Sequence, residues 1–333
     1  MRALSLGAAL LVLGGCASIA STGSAPDRSS ATVVGESEDF IVAVPVRNET
    51  SGTLARTYLA DATKAWMIED FNRGARTFAA GQRVVIPRRP WNPAGVEPTG
   101  YQLVPILVYH NLGPQSKGRL TLGSGAFAEQ MRYLKREGYR VVSLAEFVEW
   151  LRLKRQLPRK SVVLTFDDGY HSFRDYAYPV LKQLGFPATL FVYTDYVGAG
   201  RNALSWDDLK PLVAEGFDVQ AHSKTHGDLR RLAGETDAQY ARRMQAELAD
   251  PPRLFQRQLG HGVQFLAYPY GRFDDALLAR VQEQGYAAAF TVRRESNPSF
   301  VRPLQISRSQ VYSEMTLEQF AKNLNLFHEE NLR

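Results

Sequence analysis

Two adjacent carboxylates, Asp167 and Asp168, end the run Val162-Val163-Leu164-Thr165-Phe166, and Gly169 follows them directly. Anions this close destabilise each other unless something cationic lies beside them. Further along, His222-Ser223-Lys224-Thr225-His226 offers two imidazoles separated by three residues. One carboxylate and two imidazoles make a ligand set for a divalent metal that leaves positions open for water and substrate. The second carboxylate is then free to act as a base on that water. Together these residue types point to metal-assisted hydrolysis.

Such a site needs elements that bring distant residues to one place. From residue 103 onward, strand-like and helix-like segments alternate, which marks a βα-repeat fold. Candidate strands are Val104–Tyr109, Arg140–Ser143, Ser161–Phe166, Ala188–Tyr193, Phe217–Ala221, Val263–Tyr268 and Ala287–Val292. Amphipathic stretches lie between them at Phe127–Glu137, Leu144–Arg152, Asp175–Leu184, Trp206–Glu215 and Asp275–Gln284. In parallel α/β barrels the loops that follow the strands build the active site. Asp167, Asp168, His222 and His226 each fall just after a candidate strand, as do His110 and Tyr270.

Thr165-Phe166-Asp167-Asp168-Gly169 with His222-x-x-x-His226 resembles the signature of the polysaccharide deacetylase family, the NodB-homology domain of carbohydrate esterase family 4. Tyr268-Pro269-Tyr270-Gly271 resembles that family's Pro-aromatic-Gly motif. Val108-Tyr109-His110 resembles the opening strand of the branch that contains poly-N-acetylglucosamine deacetylases. The resemblance implies an incomplete (β/α)7 barrel over residues 103–333. It makes Asp167 the general base, and Asp168, His222 and His226 the ligands of one divalent ion, Zn²⁺. The backbone N–H of Tyr270 becomes an oxyanion donor, with Pro269 fixing the turn and Gly271 permitting close backbone approach.

Two departures from the family pattern matter. Most members carry the general acid as a late-strand histidine, whereas after His261 this chain has only His328. His110 is the substitute, because a barrel closes its first strand against its last. Many members also place an arginine, which orients the base, two residues before the motif proline; here that residue is Ala267. Arg308, after a possible final strand, could supply the charge from the opposite side. His171 and Ser172 are open to either sugar contact or a helix start. The implied substrate is an acetylated glycan, a polymer of β-linked N-acetylglucosamine in an exopolysaccharide or peptidoglycan. The same ligand set would also serve an O-acetyl esterase, and the remaining alternative is a non-catalytic envelope glycan-binding protein.

The beginning of the chain indicates where this chemistry takes place. Arg2 precedes the apolar run from Ala3 to Leu13, which is too short to span a bilayer comfortably. Leu13-Gly14-Gly15-Cys16 is similar to a bacterial lipobox, which makes 1–15 a signal peptide and Cys16 the lipidated first residue. Cys16 is the single cysteine of 333 residues, so an internal disulfide is excluded. Ala17 stands where a retention signal would place Asp, which favours the outer membrane, facing the periplasm. An exported lipoprotein is expected, touching membrane through its lipid only. The net charge of +6 is spread along the chain without a dense basic block, so no nucleic-acid partner is expected.

Residues 16–38, rich in Ser, Ala, Thr and Gly, read as a flexible tether. Residues 39–87 return to globular composition in a β-α-α-β order: Phe40–Val44, Gly52–Ala60, a helix around Trp66-Met67-Ile68, and Val84–Pro87. This α+β order resembles a LysM module, a type that binds N-acetylglucosamine polymers. Residues 88–102 hold three prolines and two glycines and read as a linker.

Overall fold

The computed structural model describes residues 28–333, which fall into two compact units that divide between Ile86 and Pro87. The lipidation expected at Cys16 lies outside the described residues.

In the first unit the helices Ser51–Tyr58 and Ala65–Phe71 accompany a sheet ordered Thr32–Glu36, Phe40–Val44, Val84–Pro87. Alternation along Phe40–Val44 buries Ile41 and Ala43, which join Leu54, Ile68, Phe78, Val84 and Ile86 in a core of their own. Thr50 caps the first helix by accepting a hydrogen bond from Thr53 N. One strand departs from expectation. Thr32–Glu36, inside the stretch read as tether, pairs antiparallel with Phe40–Val44. Its β-branched Thr32-Val33-Val34 suits a strand, and Glu49 accepts hydrogen bonds from Ser30 N and Oγ just before it.

The second unit is built on parallel strands β1 (Ile106–Tyr109), β2 (Ser161–Asp168), β3 (Thr189–Val192), β4 (Asp218–Ala221), β5 (Phe265–Ala267), β6 (Ala288–Phe290) and β7 (Ser309–Gln310). Their order in space is β6-β5-β4-β3-β2-β1-β7. Phe290 of β6 also bridges in parallel to Ile306, three residues before β7. Residues 306–310 therefore touch both edges of the sheet and close it into the expected (β/α)7 barrel. Seven strands were read in the sequence, but one of them is different. Arg140–Val141 pairs only with the start of β2, off the barrel path, because Ser143 turns away at once to cap the helix Leu144–Leu151 in a capping box with Glu146.

Side chains alternate across the barrel wall. Ile106, Val163, Phe191, Ala267, Ala288, Phe290 and Ile306 form one buried cluster. The intervening Leu107, Tyr109, Leu164, Phe166, Leu190 and Val192 pack with Phe127, Met131 and Leu181 from helices Ser124–Arg136 and Tyr178–Leu184. Pairing of Phe166 with Tyr109, Asp168 with Val192, Val192 with Ala221, and Ala267 with Phe290 sets the strand ends level. Whatever follows β1, β2, β4 and β5 thus emerges on one rim.

The stretch expected as linker is part of the fold from Val96 onward. Val96–Glu97 and Gly100–Gln102 form a three-stranded antiparallel sheet with Phe327–Glu329. A long helical run, Asp237–Met244, Gln245–Ala249 and Asp250–Leu259, was also not foreseen. Its Pro251-Pro252 reads as a break, yet the two prolines sit in the first turn of the last piece, where a helix tolerates them.

Candidate active site and metal centre

β2 delivers both carboxylates. Asp167 shares the face of Val163 and Thr165 and is buried. Its Oδ1 and Oδ2 accept hydrogen bonds from Arg308 Nη1 and Nη2, each at 2.7 Å. Arg308 has no exposed surface, and its Nε donates to Thr291 O at 2.9 Å. Nη1 also reaches Thr165 Oγ1 at 3.3 Å, and the guanidinium lies 5.2 Å from the centre of the Phe191 ring. A fixed, planar, desolvated fork of this kind is the strongest carboxylate partner a side chain offers. Burial alone would raise the pKa of Asp167, but the charge and paired hydrogen bonds of Arg308, with His222 behind them, hold it at about 2.

Asp168, the next residue, turns out of the strand with φ of 73°. Its Oδ1 is buried and makes no hydrogen bond of good geometry. His226 Nε2 lies 3.2 Å from that atom and His222 Nε2 lies 3.5 Å from it. Ligand atoms of Asp168, His222 and His226 all fall within 4.8 Å of one another. His222 follows β4, is buried, and has Nδ1 2.8 Å from Ala267 O. A carbonyl only accepts, so Nδ1 carries the proton and Nε2 presents its lone pair toward the carboxylates. Burial lowers the pKa of His222 against the opposing pull of Asp167 and Asp168, which favours the neutral ring. Asp168 is held below the ordinary carboxylate range: burial opposes this, but His226 and His222 outweigh it. An orphaned buried carboxylate oxygen facing two imidazole nitrogens fits a divalent cation.

The backbone is constrained where the chemistry lies. Among the described residues seven non-glycines have positive φ, and four of them are Asp168, Ser223, His226 and Tyr270. Such conformations persist only where the surroundings enforce them, and they cluster at functional sites. Tyr270 (φ 60°) sits in the turn Pro269–Gly271 after β5, with its exposed ring 4.8 Å from the His226 ring. Gly271 cannot be replaced without movement, since a Cβ there would lie 2.5 Å from Val292 N.

His110 follows β1, and its Nδ1 is buried without a hydrogen-bond partner. It lies near enough for its charge to act on both Asp167 and Asp168. The structure thus gathers His110, Asp167, Asp168, His222, His226, Tyr270 and Arg308 on one rim. His171 instead pairs with Asp175, while Ser172 Oγ donates to Asn111 and accepts from Leu112 N, which makes Ser172 part of the fold. No sequence pattern signals the tyrosine group beside His226, and it was not foreseen. Tyr193 lies 5.0 Å from the His226 ring and stacks on Tyr196, which Tyr170 meets edge-on. Nor does any such pattern reveal Glu247, which binds the loop between the two histidines.

Comparison with known proteins agrees with this geometry. Residues 154–289 match the family described as polysaccharide deacetylase. The candidate polysaccharide deacetylase YxkH of Bacillus subtilis is 29% identical over 188 residues, 56% of this chain and 64% of that protein. The poly-β-1,6-N-acetyl-D-glucosamine N-deacetylase of Staphylococcus aureus is 25% identical over 220 residues, covering 63% of this chain and 74% of that one. The structure of the Streptococcus pyogenes deacetylase PplD in complex with acetate superposes with a TM-score of 0.61 at 26% identity, over 68% of this chain and all of that one.

Proposed function

We propose that this chain, whose residues 154–289 match the polysaccharide deacetylase family, is a metal-dependent hydrolase that removes N-acetyl groups from a β-linked N-acetylglucosamine polymer of the bacterial envelope. The observation that carries the proposal is the pairing of unlike carboxylates. Arg308 neutralises Asp167, while the buried Oδ1 of Asp168 faces two imidazole nitrogens.

Asp168, His222 and His226 would hold one divalent cation, and their one-oxygen, two-nitrogen donor set suits Zn²⁺. When bound, the cation supplies Lewis-acid activation of the attacking water and of the acetyl carbonyl. Asp167 accepts the proton of that water, with Arg308 fixing its orientation. The Tyr270 N–H donates to the oxyanion that develops as the carbonyl is attacked. His110 delivers a proton to the departing amine, so that acetate and a free amino sugar leave. The faces of Tyr193, Tyr196 and Tyr270 provide apolar surface against which a sugar ring can pack. The activity of the staphylococcal relative on poly-β-1,6-N-acetyl-D-glucosamine supports the choice of polymer. The first unit would act as a LysM-like glycan-binding module, and lipid on Cys16 would hold the protein at the outer membrane, facing the periplasm.

Acetate release from poly-N-acetylglucosamine, peptidoglycan and acetyl-xylan, with and without chelator, tests this reading. Release from an N-acetylglucosamine polymer, abolished by chelation and restored by divalent metal, is expected. Undiminished release from metal-free protein overturns the mechanism, and release from acetyl-xylan alone would make the protein an O-acetyl esterase.

A further inference from the structure

His226 reaches the site on a turn whose backbone is constrained at both ends, with φ of 72° at Ser223 and 63° at His226. The hydrogen bonds of the turn enforce that shape. His222 N donates to Val192 O at 2.9 Å, which continues the β4–β3 ladder. On the carbonyl side, Thr194 N and Asp195 N donate to Ser223 O and Lys224 O at 3.3 and 3.0 Å. His226 N donates to Ser223 Oγ at 3.0 Å. The N–H groups of Lys224 and Thr225 converge on one atom, Glu247 Oε2, at 2.9 and 3.0 Å. The Thr225 hydroxyl donates to Glu247 Oε1 at 2.6 Å. One buried carboxylate therefore holds three donors from two consecutive residues between the histidines.

Glu247 comes from the π turn Gln245–Ala249, the wide segment in the middle of the helical run 237–259. Wide turns of this kind interrupt the regular ladder and occur often at functional sites. The run itself is anchored: Leu248 and Met244 are buried with Tyr240, Leu229 and Leu266, and Tyr286 Oη donates to Leu248 O at 2.9 Å. Glu247 thus projects from a packed support onto the turn.

We propose that Glu247 is a positioning residue of the metal centre, which presets the turn from Ser223 to His226 so that His226 Nε2 stands beside Asp168 Oδ1 before a cation binds. It touches neither cation nor substrate and acts through His226. Ligand orientation by such an outer partner contributes to affinity because the loop need not be ordered when the cation arrives. The inference rests on the metal-binding part of the proposed function and extends it to a residue outside the family motifs.

The test reads metal affinity, not turnover. Zn²⁺ affinity is measured by chelator competition, and the visible spectrum of the Co²⁺ form reports ligand geometry. Unfolding of the metal-free protein is followed in parallel. Glu247→Ala should weaken Zn²⁺ binding by about 10–100-fold and alter the Co²⁺ spectrum. Glu247→Gln, whose amide oxygen can accept the same two N–H groups while its amide turns to the Thr225 hydroxyl, should bind within about threefold of the parent. Glu247→Asp, one methylene too short, should fall at least about tenfold. Should the alanine variant not fold, the Gln and Asp variants decide: equal affinity in both overturns the proposal. A folded alanine variant with parental affinity and spectrum overturns it as well. A parent protein that binds no divalent cation would overturn the metal reading itself and this inference with it.

Discussion

Replacing Arg308 with methionine removes the guanidinium while keeping much of its length, and it leaves Asp167 buried without its partner. Arg308 is wholly buried and Asp167 is 2% exposed, so water cannot take over the two 2.7 Å hydrogen bonds. Removing one member of a buried ion pair destabilises a protein by about 3–5 kcal/mol, mostly because the other charge is stranded. That is a large part of the roughly 5–15 kcal/mol that holds a domain folded. Urea unfolding of metal-free protein should show it as a lower midpoint at an unchanged slope. Adding Asp167→Asn removes the stranded charge, and the double variant should regain about 2 kcal/mol or more relative to Arg308→Met. The pH dependence has a definite sign. In the parent, Asp167 is held at about 2, below its ordinary 3.8, so its contribution is complete above that ordinary value and is lost as pH falls through about 2. Nothing from this pair should change between pH 8 and pH 5. In the variant, burial acts unopposed by Arg308 and raises the pKa of Asp167. The penalty is then greatest at high pH and shrinks as the carboxyl protonates, so the gap to the parent should narrow at pH 5. A loss below about 1 kcal/mol, an unchanged gap at the two pH values, or a double variant no more stable than the single one would refute the reasoning.

Three further outcomes are expected. Asp167→Asn should keep metal content near parental while turnover falls by roughly two to four orders of magnitude, whereas Asp168→Asn should lose metal too; metal analysis beside acetate release separates the two roles. His110→Ala should retain fold and metal but lose most turnover on an N-acetyl amide, while an activated aryl acetate, whose leaving group needs little proton assistance, suffers much less; an equal fall on both substrates would make His110 a structural residue. Cys16→Ser should move the protein from the membrane fraction to the soluble envelope fraction, and an unchanged distribution would exclude lipid as the anchor.

What was legible in the sequence was what local pattern encodes. The β-branched run before Asp167 forms β2, and the amphipathic stretches 144–152 and 206–215 form helices with one boundary moved by a residue. The chain marks those helix starts itself, since Ser143 and Ser205 both make capping boxes. β7 was harder to see because two residues carry almost no periodic signal; Ser309–Gln310 is a strand only because β1 stands beside it. Glu247 was invisible for a related reason. A glutamate followed three and four residues later by Asp250 and Pro251 reads as solvated surface, and nothing local shows that the fold turns it inward onto a loop 22 residues earlier.

Barrel closure explains how the site tolerates its departures from the family pattern. The rim is a ring, so a point inside it can be reached from either side of the ring by strands far apart in sequence. Ala267 on β5 offers no charge, yet its carbonyl fixes the His222 tautomer, and the arginine that Asp167 needs arrives from residues 306–310, which join β6 to β1. The same closure places His110, at the end of β1, near both carboxylates. What the chemistry requires is a cation against one carboxylate and an orphaned oxygen on its neighbour, because two adjacent anions can take different roles only if their surroundings differ. Arg308 creates that difference. With both oxygens of Asp167 engaged by the guanidinium, Asp168 Oδ1 is left beside the imidazoles without a hydrogen-bond partner, and the proposed division of labour follows from which of the two acids the arginine reaches.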